Sequence, residues 1–111
     1  MTRSTDAISL LSRLISFDTH NPGGNEPALG AFLAEELRAR GPDDVTLVEV
    51  PRASGARGAY VYARWGRPEL LVNAHLDTVP VNAGWTMNPF EARRADGRVY
   101  GLGACDTKGA I

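Results

Sequence analysis

Three residues carry the chemistry this chain could do: His75, Asp77 and Asp106. His75 and Asp77 stand two positions apart in His75-Leu76-Asp77. Side chains at i and i+2 of a strand share one face, so the Asp77 carboxylate is expected beside the His75 imidazole. A metal-bound histidine donates its other ring N–H to such an acceptor, which fixes the tautomer and raises the basicity of the ligating nitrogen. The plainer reading is a His–Asp pair that caps a strand end. Asp106 lies in Gly101-Leu102-Gly103-Ala104-Cys105-Asp106-Thr107-Lys108-Gly109. Glycines packed around one carboxylate mark a backbone that turns sharply or approaches something closely. The plainer reading there is a tight turn with Asp106 capping a helix. Taken together, a histidine nitrogen and carboxylate oxygens suit Zn²⁺. One carboxylate can also bridge two metals about 3.5–4 Å apart. Nucleotide motifs fail: Gly101-x-Gly103-x-x-Asp106 lacks the third glycine of a dinucleotide fingerprint, and Lys108 is followed by Gly109 in place of Ser or Thr.

The elements that must position these residues follow from periodicity and punctuation. Residues 6–17 carry Ile8, Leu10, Leu11, Leu14, Ile15 and Phe17 at helical spacing. Ser4, Thr5 or Asp6 can cap that helix. Thr19-His20-Asn21-Pro22-Gly23-Gly24 reads as a loop, with His20 in solvent. Asn25 caps a second helix with Pro27 in its first turn. Leu29, Phe32, Leu33 and Leu37 form its stripe, and Gly41-Pro42 stops it. Residues 45–50 and 59–64 read as strands. Residues 69–75 (ELLVNAH) are apolar without alternation, which predicts a strand buried on both faces. His75 then sits at the carboxyl end of that strand, where open α/β sheets place their ligands. A long irregular stretch follows, and Ala95-Asp96-Gly97 predicts a hairpin turn. This order implies helices packed on a sheet.

Composition bounds the function. The 111 residues are 43% hydrophobic and 23% charged, which fits one globular domain and leaves no room for two. A formal charge of −1 disfavours electrostatic partners such as nucleic acid or an anionic membrane. The arginines are scattered, and Arg93, Arg94 and Arg98 are expected on the surface. The lone cysteine, Cys105, excludes an internal disulfide and fits a reducing compartment. It reads as a small packed residue. No apolar run is long enough for a transmembrane helix. The N-terminus has no secretory pattern, so the expected location is the cytoplasm. Lys108 reads as a solvated or capping charge. Trp85 and Phe90 read as anchors of the long loop, with lining a cleft as the alternative.

HLDTVP (75–80), Trp85, Asn88-Pro89-Phe90 and GRVYGLGACDTKG (97–109) closely resemble the di-zinc deacylase and exopeptidase family. Acetylornithine deacetylase, succinyl-diaminopimelate desuccinylase, aminoacylase and carboxypeptidase G belong to it. The resemblance implies an α/β fold, with residues 1–111 as the N-terminal part of a zinc-exopeptidase-like catalytic domain, a mixed sheet with flanking helices. It implies that His75 binds one zinc, that Asp106 bridges two, and that Asp77, carried over as the catalytic residue, orients His75. It also implies a cis peptide after Asp106. Co²⁺ is the expected substitute metal. Ala104, Thr107 and Asn88 depart from the commonest residues of the pattern and leave the metal positions untouched.

The implied activity is removal of an acyl group from an N-acyl amino acid, most like acetylornithine deacetylase. A desuccinylase, or a carboxypeptidase or dipeptidase acting on short peptides, is the alternative within the family. An inactive or partner-dependent remnant is the alternative of another class. Similar enzymes are homodimers. They supply a Glu-Glu pair, a further acidic ligand and a distant histidine beyond the region matched here. The 111-residue chain alone is therefore expected to be inactive, and its end soon after a glycine-rich turn suggests a partial chain.

Overall fold

The computed structural model describes residues 6–111. Helix α1 spans Ala7–Ile15. Asp6 caps it, accepting from the Ile8 and Ser9 N–H groups at 3.1 and 3.3 Å. The Ser9 hydroxyl, which also donates to Asp6, is the main reason that carboxyl titrates below its ordinary range. The other two candidate caps, Ser4 and Thr5, lie outside the described residues. Helix α2 spans Glu26–Arg38, with Asn25 accepting from the Ala28 N–H at 3.2 Å. Pro27 falls in the first turn, where an amide hydrogen has no helical partner to lose.

Strands β1 (Asp44–Pro51) and β2 (Arg57–Arg64) pair antiparallel, from Asp44 opposite Arg64 to Pro51 opposite Arg57. Helix α2 packs on this hairpin. Leu14 of α1 and Leu29 and Leu33 of α2 form a buried cluster, with Leu10, Phe17, Phe32, Val61 and Leu76 packed around. Each such leucine stabilises the fold by about 1.5–3 kcal/mol. A second hairpin, β3 (Arg93–Ala95) and β4 (Arg98–Tyr100), closes over Asp96 and Gly97. Both turn residues have positive φ, +53° and +71°, as a two-residue turn between twisted strands requires. Arg93, Arg94 and Arg98 are exposed as expected. The chain closes on a short 3₁₀ helix, Lys108–Ala110.

The α/β class holds: two helices accompany two small antiparallel sheets. Among the described residues, parallel pairing is confined to one bridge, His20 with Thr78. The strand expected over residues 69–75 is not formed. That stretch has no regular structure and no strand partner among the described residues, and Leu70, Leu71 and Val72 are 79, 75 and 77% exposed. An apolar run signals the capacity to be buried. Forming a strand also needs a neighbouring backbone to take its N–H and C=O groups.

Candidate metal centre

Two loops bring the chemistry together. The first, residues 19–21, lies along residues 76–78. Asn21 N–H donates to Thr78 O at 2.9 Å, and Thr78 N–H donates to Thr19 O at 3.0 Å. The Thr19 hydroxyl donates to Leu76 O at 2.7 Å. Thr19 and Thr78 are both buried, so these bonds are shielded from water. They hold the segment on which His75 and Asp77 sit, in place of the pairing that residues 69–75 lack. The peptide between Asn21 and Pro22 is cis.

The second loop carries Asp106. Gly103 has φ of +80°, and a Cβ there would stand 2.6 Å from Thr78 Cγ2. Only glycine lets the turn lie this close to the first loop. The Asp106–Thr107 peptide is cis, as the sequence resemblance implied.

His75 Nε2 lies 2.8 Å from Asp106 Oδ1. Nδ1 faces away, 2.9 Å from the Asp77 carbonyl oxygen and 3.2 Å from Asp77 Oδ1. Asp77 is thus beside the imidazole, through its backbone as well as its carboxylate. The contact forms although residues 75–77 belong to no strand. The hydrogen bond to Asp106 is the main cause that raises the His75 pKa above its ordinary value, with the Asp77 carbonyl second.

The donor set fits zinc in part. Atoms bound to one tetrahedral zinc at about 2.0–2.1 Å lie about 3.3 Å apart, so His75 Nε2 and Asp106 Oδ1, now hydrogen-bonded at 2.8 Å, would have to separate slightly to share one. Asp77 fixes the opposite ring nitrogen, as an orienting acceptor should. Among the described residues no group of three or more His, Cys, Asp or Glu side chains converges as a complete metal site. His75 and Asp106 therefore bring two possible donor atoms together, where catalytic zinc commonly has three plus water.

Several neighbours escaped the sequence reading. Lys108 is 2% exposed, and its Nζ donates to Phe17 O at 2.8 Å. It is not a solvated charge: the 3₁₀ turn folds inward and ties the Asp106 loop to the end of α1. Burial lowers its pKa from 10.5 to about 8, partly opposed by Asp18. The folded chain then loses this proton near pH 8 and the unfolded chain near 10.5. Between those values the unfolded state holds more protons, so the Lys108 contribution to stability rises with pH. An NMR titration of the Lys108 Cε resonance should give a midpoint near 8; one near 10.5 would refute the burial argument.

Asn21 and the buried Glu26 were also missed. Asn21 Nδ2 donates to Asp77 Oδ2 at 2.5 Å, and Glu26 pairs with Arg52 at 2.5 Å. Contacts spanning 56 residues, as between Asn21 and Asp77, leave no trace in local periodicity. His20, expected in solvent, is half-buried and bonded to Asp18. Cys105, expected to be packed, is exposed. It lines an open groove with Trp85, Tyr100 and Ala104. Phe90 is half-buried with its ring 6.5 Å from that of His20. Its N–H is held by Asn88 Oδ1 at 2.9 Å, and Leu102 N–H donates to Pro89 O at 2.7 Å, so Phe90 anchors the loop.

The two loops thus bring a histidine and a carboxylate face to face. Residues 71–111 match peptidase family M20/M25/M40, and the chain belongs to that family. It is 43% identical over 100 residues to N-acetyl-L-citrulline deacetylase of Xanthomonas campestris pv. campestris, covering 90% of this chain and 26% of that protein. It is 42% identical over 114 residues to succinyl-diaminopimelate desuccinylase of Gluconacetobacter diazotrophicus, covering 97% and 28%. It is 34% identical over 113 residues to acetylornithine deacetylase of Myxococcus xanthus, covering 91% and 27%. The chain thus spans about a quarter of the length of these curated relatives. No helix among the described residues is long and apolar enough to cross a membrane.

Proposed function

We propose that the polypeptide carrying this sequence is a zinc-dependent hydrolase that cleaves the amide bond of an N-acyl amino acid, with residues 1–111 as the N-terminal part of its catalytic domain. His75 and Asp106 would hold the zinc, the two Asp106 oxygens allowing it to serve two ions as the resemblance implies, and Asp77 would orient His75. The observation that carries this reading is the approach of His75 Nε2 to Asp106 Oδ1 at 2.8 Å while Nδ1 is turned to Asp77. The three relatives, two deacetylases and a desuccinylase, support acyl removal over peptide cleavage.

The chain's own residues have defined tasks. His75 must present a lone pair on Nε2, so its proton sits on Nδ1 and is donated to Asp77. Asp106 neutralises charge beside Nε2 and offers two oxygens from an exposed turn. When bound, zinc supplies Lewis-acid polarisation of the amide carbonyl and an acidic water. A base for that water's proton and the remaining ligands belong, by the resemblance, to sequence beyond residue 111. The resemblance also supports a cytoplasmic homodimer acting on small acylated substrates, with Co²⁺ able to replace Zn²⁺.

The test is hydrolysis of N-acetyl and N-succinyl amino acids by the polypeptide as its source cells make it. Activity is expected with Zn²⁺, should vanish on chelation, and should return with Zn²⁺ or Co²⁺. Activity that survives complete metal removal refutes the reading. So does an intact zinc-loaded polypeptide inert towards both substrate classes.

A further inference from the structure

Asp77 divides its carboxylate between two partners. Oδ1 faces His75 Nδ1 at 3.2 Å, and Oδ2 accepts from Asn21 Nδ2 at 2.5 Å. The other end of the Asn21 amide, Oδ1, accepts from Arg52 at 3.1 Å. An arginine can only donate and an ionised carboxylate can only accept, so Asn21 has a single workable amide orientation between them. Arg52 in turn pairs with Glu26 at 2.5 Å. Glu26 is 5% exposed, and its second oxygen accepts from the Ala59 N–H in β2 at 3.2 Å. The row Glu26–Arg52–Asn21–Asp77–His75 therefore runs from the buried face of the hairpin to the metal centre.

The backbone gives this row a fixed base. Asn21 is bonded through its N–H to Thr78, the neighbour of Asp77. An aspartate carboxylate turns in a broad torsional well, and the Asp77 side chain is 37% exposed. Without a second partner it could rotate towards water. A donor clamped on Oδ2 keeps Oδ1 facing the imidazole.

We infer that Asn21 is a positioning residue for the metal centre, acting through Asp77 and braced by Arg52 and Glu26. The inference rests on the proposed zinc ligation by His75 and Asp106. It is tested by measuring Zn²⁺ affinity, through chelator competition, for the natural polypeptide and its variants. Asn21→Ala is expected to weaken zinc binding about tenfold, the lower end of the effect of removing a partner of a ligand. Asn21→Leu, which keeps the side chain's branching without its donor, should do the same and serves if the alanine variant does not fold.

Both losses should disappear when Asp77 is already alanine, because the group through which Asn21 acts is gone. Equal losses with and without Asp77 would reveal a general structural role and overturn the inference. Unchanged zinc affinity in both Asn21 variants, alongside a clear loss in His75→Ala, overturns it too and leaves the metal reading standing. If His75→Ala itself leaves zinc binding unchanged, the metal reading fails and takes this inference with it.

Discussion

Asp106→Asn is expected to lower zinc affinity by about a hundredfold or more, beyond the 10–100-fold usual for partners of a ligand, and to remove hydrolytic activity with it. The substitution keeps the shape of the side chain and removes its charge. Asp106 is the larger cause of the raised His75 pKa, so the same variant should protonate His75 at a lower pH than the parent. Two readouts therefore move for one reason: the carboxylate sits 2.8 Å from Nε2 and favours positive charge there, whether proton or metal. The Asp106 side chain is 83% exposed, so folding should be little affected. Zinc titration and the His75 NMR titration decide the matter. An unchanged zinc affinity with a lowered His75 pKa would leave Asp106 an ion-pair partner and not a ligand.

Gly24→Ala is expected to be the most damaging small substitution away from the metal centre. A Cβ at residue 24 would lie 2.4 Å from both His20 N and Thr19 C. These are backbone atoms and cannot turn aside. They belong to the loop that holds Thr78 and presents Asn21 to Asp77. Relieving the clash means opening the bond from Gly24 N–H to His20 O, at 2.6 Å. The expected cost is about 3 kcal/mol, at the upper end for overpacked sites, and zinc affinity should fall with it. Gly23→Ala is the control: its Cβ would meet nothing nearer than His20 Nε2 at 3.7 Å, an ordinary contact. Denaturant midpoints of the two variants measure the difference. Equal stability would show that the 19–24 loop can shift without cost.

Both expectations depend on contacts between distant parts of the chain, and there the sequence reading was weakest. Helices α1 and α2, their caps at Asp6 and Asn25, the two strands of the first hairpin and the Asp96-Gly97 turn were legible because each is set by residues a few positions apart. Periodicity, capping side chains and turn residues are local signals. The ELLVNAH segment was misread for the converse reason. Its apolar character is a property of the residues, whereas a strand is a property of two backbones, and no described residue pairs with it. Of the two readings of Lys108, solvated or capping, charge alone could not choose; the packing of the last turn turns its ammonium inward onto the Phe17 carbonyl, just past the end of α1.

The site divides in the same way. His75, Asp77 and Asp106 were named from residue type and motif, since few side chains can bind a metal or orient one that does. The sequence could not say that His75 would meet Asp77 through a carbonyl as well as a carboxylate. Nor could it say that Asn21, Arg52 and Glu26 would line up behind that pair. The sequence by itself determined the donors and the local elements, because those follow from side-chain chemistry and from neighbours along the chain. The tertiary structure decided which donors face one another and what holds them there. Burial, close approach and hydrogen-bond partnership exist only once distant segments share the same space.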